Sequence, residues 1–157
     1  MPHTRAEVIK RANREFRLLD RLVAGLTAAE WKIAVPRSEM KDPWTIKDAL
    51  AHITHWKEGV ALSARGGRRP PEESRLNITD GNRLVYLRWR KRSAREVLLW
   101  HRQVQVDLLA ALRAAPERWY SRRERGPDWP FDLDGHSAGH RVNDIQRALE
   151  KGKTKAR

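Results

Sequence analysis

Residues 44–60, WTIKDALAHITHWKEGV, carry apolar side chains at helical intervals with a histidine beside them. At about 100° per residue, Ala49, Ile53, Trp56 and Val60 share one stripe, so the segment is an amphipathic helix. Thr45, with Asp48 three residues on, is a capping box that starts it. The pattern runs to about Leu62. His52 flanks the stripe, roughly 80° from its centre, whereas His55 lies about 140° away, towards Lys47 and Asp48, and is expected in solvent. A lone histidine at such an edge is either a ligand or an ordinary boundary residue, and this segment alone does not decide between them.

Similar periodicity lies on both sides of this helix. Segment 5–26 places Ile9, Ala12, Phe16, Leu19, Val23 and Leu26 at spacings of three and four. Thr27-Ala-Ala-Glu30 reads as a capping box for a short helix carrying Trp31, and Pro36 breaks the chain. After a basic loop from Ala64 to Pro71, a shorter helix is expected from about Gly81, carrying Leu84, Val85, Leu87 and Trp89. Ser93 and Glu96 cap a third long helix with Val97, Trp100, Val104, Leu108, Ala111 and Leu112 as its stripe. Pro116, Gly126, Pro127 and Pro130 mark a long connection holding Trp119, Tyr120, Trp129 and Phe131. A last helix is expected from Asp134 or Gly135 to Gly152. No stretch alternates with period two. The expected fold is therefore all-α: a four-helix bundle with long connections and short accessory helices. Residues 1–157 form one domain, ordered over about 5–150, with KGKTKAR (151–157) as a frayed tail.

Composition narrows the chemistry. The chain has no cysteine, which excludes disulfides, thiolate zinc sites, iron–sulfur clusters and a cysteine nucleophile. Any thiol chemistry would need a thiol cosubstrate. No apolar run approaches the roughly 20 residues that cross a bilayer, and MPHTRAEVIKR lacks the apolar centre of a signal peptide. A cytoplasmic protein without a membrane partner is expected. Lys and Arg number 33 against 20 Asp and Glu, a net charge of +13. Such a surplus suits phosphate-bearing partners. It is spread over Arg65/Arg68/Arg69, Arg88 to Arg92, Arg122/Arg123/Arg125 and the Lys151–Arg157 tail, however, so nucleic acid ranks below an anionic small-molecule substrate.

Residues 134–149, DGHSAGHRVNDIQRAL, contain His136 and His140 in H-x-x-x-H spacing. On a helix the two imidazoles stand within about 40° of each other, one turn apart, where both can reach one metal ion. Asn143 and Arg147 share their side and are candidates to orient an anionic group, while Val142, Ile145 and Leu149 face the core. If the fold brings His52 opposite this pair, three nitrogens form a site with open positions for water or substrate. Alone, the spacing is a weak signal on a charged helix. His101 is read as a boundary histidine and His3 as part of a mobile terminus. There is no H-E-x-x-H motif, no nucleophile elbow and no phosphate loop, since Gly66-Gly67 runs into Arg-Arg-Pro-Pro. The seven tryptophans read as core and interface anchors, and those in loops would suit a homodimer. Arg88-Trp89-Arg90 reads as cation–π packing at a helix end.

These residues together resemble a family. WTIKDALAHITHWKEGV resembles the second-helix signature of the DinB/YfiT-like superfamily: a Trp opens the helix, Lys-Asp and small residues follow, and a His precedes a Trp-Glu-like ending. HSAGH is similar to the paired ligands on that family's last helix. DGNRLVYLRWRKRSAREVLLWHRQVQVDLLAAL (80–112) resembles the Asn-led short helix and long third helix of its maleylpyruvate-isomerase-like and ClbS/DfsB-like branches. The likeness spans about residues 5–150. It implies a four-helix bundle holding a divalent ion, zinc or nickel, on His52, His136 and His140. It also implies an S-transferase, isomerase or hydrolase that activates a low-molecular-weight thiol cosubstrate or water. Two alternatives stand beside it: a basic nucleic-acid-associated helical protein, and a metal-stabilised dimerisation module without turnover. His55, close to the first ligand, leaves a ligand swap open.

Overall fold

Local capping sets where the long helices begin. In the computed structural model, which describes residues 3–37, 41–121 and 130–157, Thr4 and Glu7 cap α1 (Arg5–Val23) reciprocally. The Thr45 N–H donates to Asp48 at the start of α2 (Ile46–Ala64). Ser93 and Glu96 close the same box on α5 (Ala94–Ala114). Each box satisfies amide groups that the first turn leaves without intrahelical partners. Replacing Ser93 with alanine is expected to cost about 1 kcal/mol and to lower the melting temperature by about 2–4 °C. Thermal unfolding followed by circular dichroism checks this.

The Thr27–Glu30 pair also forms, leading into a 3-10 turn at Glu30–Lys32. Gly66, at φ 77°, turns the chain out of α2. Short helices follow at α3 (Pro71–Ser74), α4 (Ile78–Trp89) and α6 (Glu117–Tyr120). α4 starts three residues before the expected Gly81 because Asn77 caps it by accepting from the Asp80 N–H. The last long helix has three parts: α7 (Leu133–His140), a π-helical turn (Arg141–Gln146) and α8 (Arg147–Lys155). α8 continues past Gly152, so residues 151–155 are helical rather than frayed. Arg122, Arg123, Arg125, Gly126, Pro127 and Trp129 lie outside the described residues. Among those described, the one extended pairing is an isolated bridge between Ala34 and Thr45, and no helix is long and apolar enough to cross a membrane.

The fold is all-α. α2 packs along α5, α1 against α5 and α7, and α2 also against α7 and the π turn. Two apolar clusters fill the bundle. One joins Val8, Val60, Leu108 and Leu112 to Trp119, Tyr120, Phe131 and Leu133. The other joins Leu19, Val23, Trp31, Trp44, Ile53, Val97 and Ile145. Between them, each long helix contributes a buried polar residue: Glu15, Lys57, His101 with Gln105, and Ser137. This layer overturns two readings. On α1 the buried line is Val8, Ala12, Glu15, Leu19 and Val23, with Ile9 and Phe16 only half-buried. His101 is a core residue, 1 % exposed, stacked on Phe16 with ring centroids 4.9 Å apart.

The aromatic anchors also differ from expectation. Trp119 is buried, its indole N–H donating to Ser63, so it is not an exposed loop tryptophan available to a dimer. Trp89 stacks on Trp100, 3.9 Å between centroids and 6° from parallel, in place of a cation–π contact. His3, expected within a mobile terminus, packs on Phe131 with ring centroids 4.6 Å apart.

Candidate functional site

Two helices bring three histidines together. α2 places His52, 8 % exposed, against the buried Trp44 ring. α7 places His136 and His140 on successive turns facing it. The Nε2 atoms of His52 and His136 are 3.3 Å apart, and one ring nitrogen from each of the three histidines lies within 4.8 Å of the others. Trp56, one turn beyond His52, stacks on the His136 ring at 4.4 Å. Burial, reinforced by the neighbouring histidines, holds His52 well below the ordinary histidine range. Burial and the nearby His140 bring His136 down to about 4. Both are neutral imidazoles at physiological pH, the form that offers a lone pair to a metal.

His140 is oriented from behind. Its Nδ1 lies 2.7 Å from the Asp144 carboxylate and 3.0 Å from the Arg37 guanidinium, which also pairs with Asp144 at 3.2 Å. Nδ1 cannot both donate to a carboxylate and accept from a guanidinium. The shorter contact to the formally charged oxygen favours a proton on Nδ1, and a neutral ring in that tautomer turns its Nε2 lone pair to the space shared with His52 and His136. A carboxylate behind a histidine in this way sets its tautomer and raises its basicity as a ligand. Arg37 reaches the site because residues 33–35 run alongside 44–46: the Val35 N–H donates to Trp44 and the Ile46 N–H to Ile33. Its guanidinium then lies 5.3 Å over the Trp44 ring.

The π turn decides which residues accompany the histidines. With hydrogen bonds spanning five residues instead of four, the angular phase counted from His140 no longer holds beyond it. Asp144 is buried beside His140, while Asn143 and Arg147, expected on the histidine side, are exposed. Val142, expected in the core, is 40 % exposed, and Ile145 and Ala148 take the buried positions. Arg37, not Arg147, is the guanidinium at the histidines.

His55 stands apart from this group but is not solvated. It is half-buried beneath Arg69, whose guanidinium donates to the His55 carbonyl at 2.6 Å. Burial, then Arg69, brings its ring down to about 4. His101 lies in the buried layer and is held at about 3, chiefly by burial and by Lys57.

The donor set fits a divalent ion. With Zn–N bonds of about 2.0–2.1 Å, two ligands of a tetrahedral site stand about 3.3–3.4 Å apart, which is the observed His52–His136 separation. All three donors are imidazoles, borderline ligands suited to zinc, nickel or copper.

The DinB superfamily is matched over residues 11–142, a range that holds the three histidines. The chain belongs to the DinB superfamily. Two solved structures share this DinB-superfamily fold. One is an uncharacterised protein from Escherichia coli UTI89, with a TM-score of 0.72 and 12% identity, covering 99% of this chain and 96% of that one. The other is the colibactin self-resistance protein ClbS in complex with a dsDNA, with a TM-score of 0.65 and 16% identity, covering 98% of each chain. At these identities the likeness is one of fold. No curated protein matches the chain. Sequence reading missed two residues at the site, Asp144 and Arg37. The i,i+4 spacing of His140 and Asp144 was a signal for the first. Nothing local marks the second, which arrives through the bridge between 33–35 and 44–46.

Proposed function

We propose that this DinB-superfamily chain is a divalent-metal-dependent enzyme acting on a small anionic substrate, by transfer, isomerisation or hydrolysis. His52, His136 and His140 would hold the ion, zinc or nickel, and a low-molecular-weight thiol or water would be the co-reactant. The observation that carries this reading is the convergence of three imidazoles from two helices, with one ring nitrogen of each within 4.8 Å of the others. An ion there would supply Lewis acidity, its charge left uncompensated by three neutral ligands, and so acidify a thiol or water reaching it. Asp144 holds the His140 ring in the tautomer that presents Nε2. Arg37 pairs with Asp144 beside the histidines, and the preference for an anionic group on the substrate is drawn from the chain's net charge of +13. Trp44 and Trp56 wall the imidazoles and keep bulk water from their flanks.

Two measurements test the reading. Elemental analysis of the purified chain is expected to find a bound divalent ion that His136→Ala and His140→Ala lose; unchanged metal in both variants overturns it. Asp144→Asn is expected to weaken metal affinity by about 10–100-fold, read by competition with a chromophoric chelator.

A second reading is contact with duplex DNA. It is favoured by the fold shared with ClbS, whose structure is of a dsDNA complex, and by the net charge of +13. It predicts affinity that falls about 10³–10⁵-fold between roughly 50 and 200 mM salt if 6–10 phosphates are contacted. Absence of duplex binding at the lower salt concentration would end it.

A further inference from the structure

The buried layer between the two apolar clusters touches the histidine helix at one point. Ser137, on the turn between His136 and His140, donates to Glu15 Oε1 at 2.6 Å. Lys57, the residue after Trp56, donates to Glu15 Oε2, also at 2.6 Å. Glu15, Lys57 and Ser137 are 1 %, 1 % and 0 % exposed. One carboxylate therefore ties α1 to both helices that carry the site, and both of its oxygens are used.

α7 runs on into the π turn, where Asp144 and Ile145 are buried, but buries little of its own surface. Its eight residues include Gly135 and Gly139, and only Leu133 and Ser137 are buried. An apolar contact at Leu133 sets depth at one end. Rotation about the helix axis is constrained by the short directional bond at Ser137 and the Arg14–Asp134 pair on the surface, besides the Trp56 stack on His136 and the Arg37 contact to His140. The tolerance is small. A rotation of about 20° carries a ring nitrogen ~6–7 Å from the axis through roughly 2 Å, whereas metal–ligand distances hold within about 0.2 Å. A buried ion pair is in general a poor source of stability, because apolar replacement is often neutral or stabilising. Its use here is geometric.

We propose that Glu15, Lys57 and Ser137 are positioning residues for the three-histidine site, setting the rotation of α7 against α2. What that site binds rests on the metal reading above; the placement of the histidines does not. Two variants test it: Ser137→Ala, and the apolar replacement Glu15→Leu/Lys57→Met/Ser137→Ala. Both are expected to keep the helical circular dichroism and cooperative melting of the parent chain. Crystal structures without metal are expected to show the His52–His136 nitrogen separation widened beyond hydrogen-bonding distance, and zinc affinity is expected to fall about 10–100-fold. A separation unchanged at 3.3 Å in the folded triple variant overturns the positioning role, whatever the metal result. If the separation widens but the parent chain binds no zinc, the metal reading fails and the positioning role stands.

Discussion

Alanine at His136 is expected to weaken zinc binding by about a hundred- to a thousandfold. Structural zinc sites draw about 10–16 kcal/mol from four ligands, or roughly 3 kcal/mol for each, and about 1.4 kcal/mol is a factor of ten. His136 is the ligand whose loss should show most clearly. Its Nε2 faces His52 across 3.3 Å, and Trp56 stacks on its ring, so the substitution removes a donor without breaking a helix cap or an ion pair. The matching controls are His55→Ala and His101→Phe. His55 lies under Arg69 and His101 in the polar layer, so both variants should bind zinc within about threefold of the parent. Isothermal titration against a competing chelator measures all three. Equal losses at His136 and His55 would remove the distinction that the geometry draws.

Acidification should destabilise the metal-free chain well before its carboxylates titrate. His101 is held at about 3 in the fold against an ordinary value of 6.5. Burial is the main cause; Lys57 and Arg102 add to it, and Asp20, whose carboxylate is 3.3 Å from Nε2, opposes it. Above pH 6.5 neither the folded nor the unfolded chain protonates this ring, and its full contribution to stability is present. As the pH falls below that value the unfolded chain takes up a proton that the folded chain refuses, so stability is lost until about pH 3. Between pH 7 and 5 this one residue accounts for about 2 kcal/mol. His52, His55 and His136 are shifted in the same direction, which steepens the fall. Urea unfolding in the presence of chelator should show a drop of several kcal/mol from pH 7 to 5, and a drop smaller by about 2 kcal/mol in His101→Phe. Equal stability of the parent chain at the two pH values would contradict the burial of these rings as neutral groups.

Local signals in the chain were legible, and signals between helices were not. The boxes at Thr27/Glu30, Thr45/Asp48 and Ser93/Glu96 form as read, because each is complete within four residues. Helix phase along α2 separated His52 from His55 for the same reason. Phase counting failed across the π turn, where it assumed 3.6 residues per turn and placed Asn143 and Arg147, both exposed, on the histidine side. Asp144, one turn after His140, agreed with that count and was overlooked as an acidic residue on a charged helix. The polar layer was invisible for a different cause. A Glu or Lys on an amphipathic helix reads as a solvated face, and what keeps Glu15 and Lys57 buried is their bond to each other across 42 positions in the chain. His101 was misplaced in the same way, since Phe16 and Lys57 come to it from other helices.

The central claim is that His52, His136 and His140 hold one divalent ion. The most direct measurement is metal content per chain by plasma mass spectrometry, after loading with zinc or nickel and gel filtration, for the parent chain and for His52→Ala/His136→Ala/His140→Ala. The account predicts one ion per parent chain and none in the triple variant. No retained ion in the parent, or the same content in the variant, would contradict it.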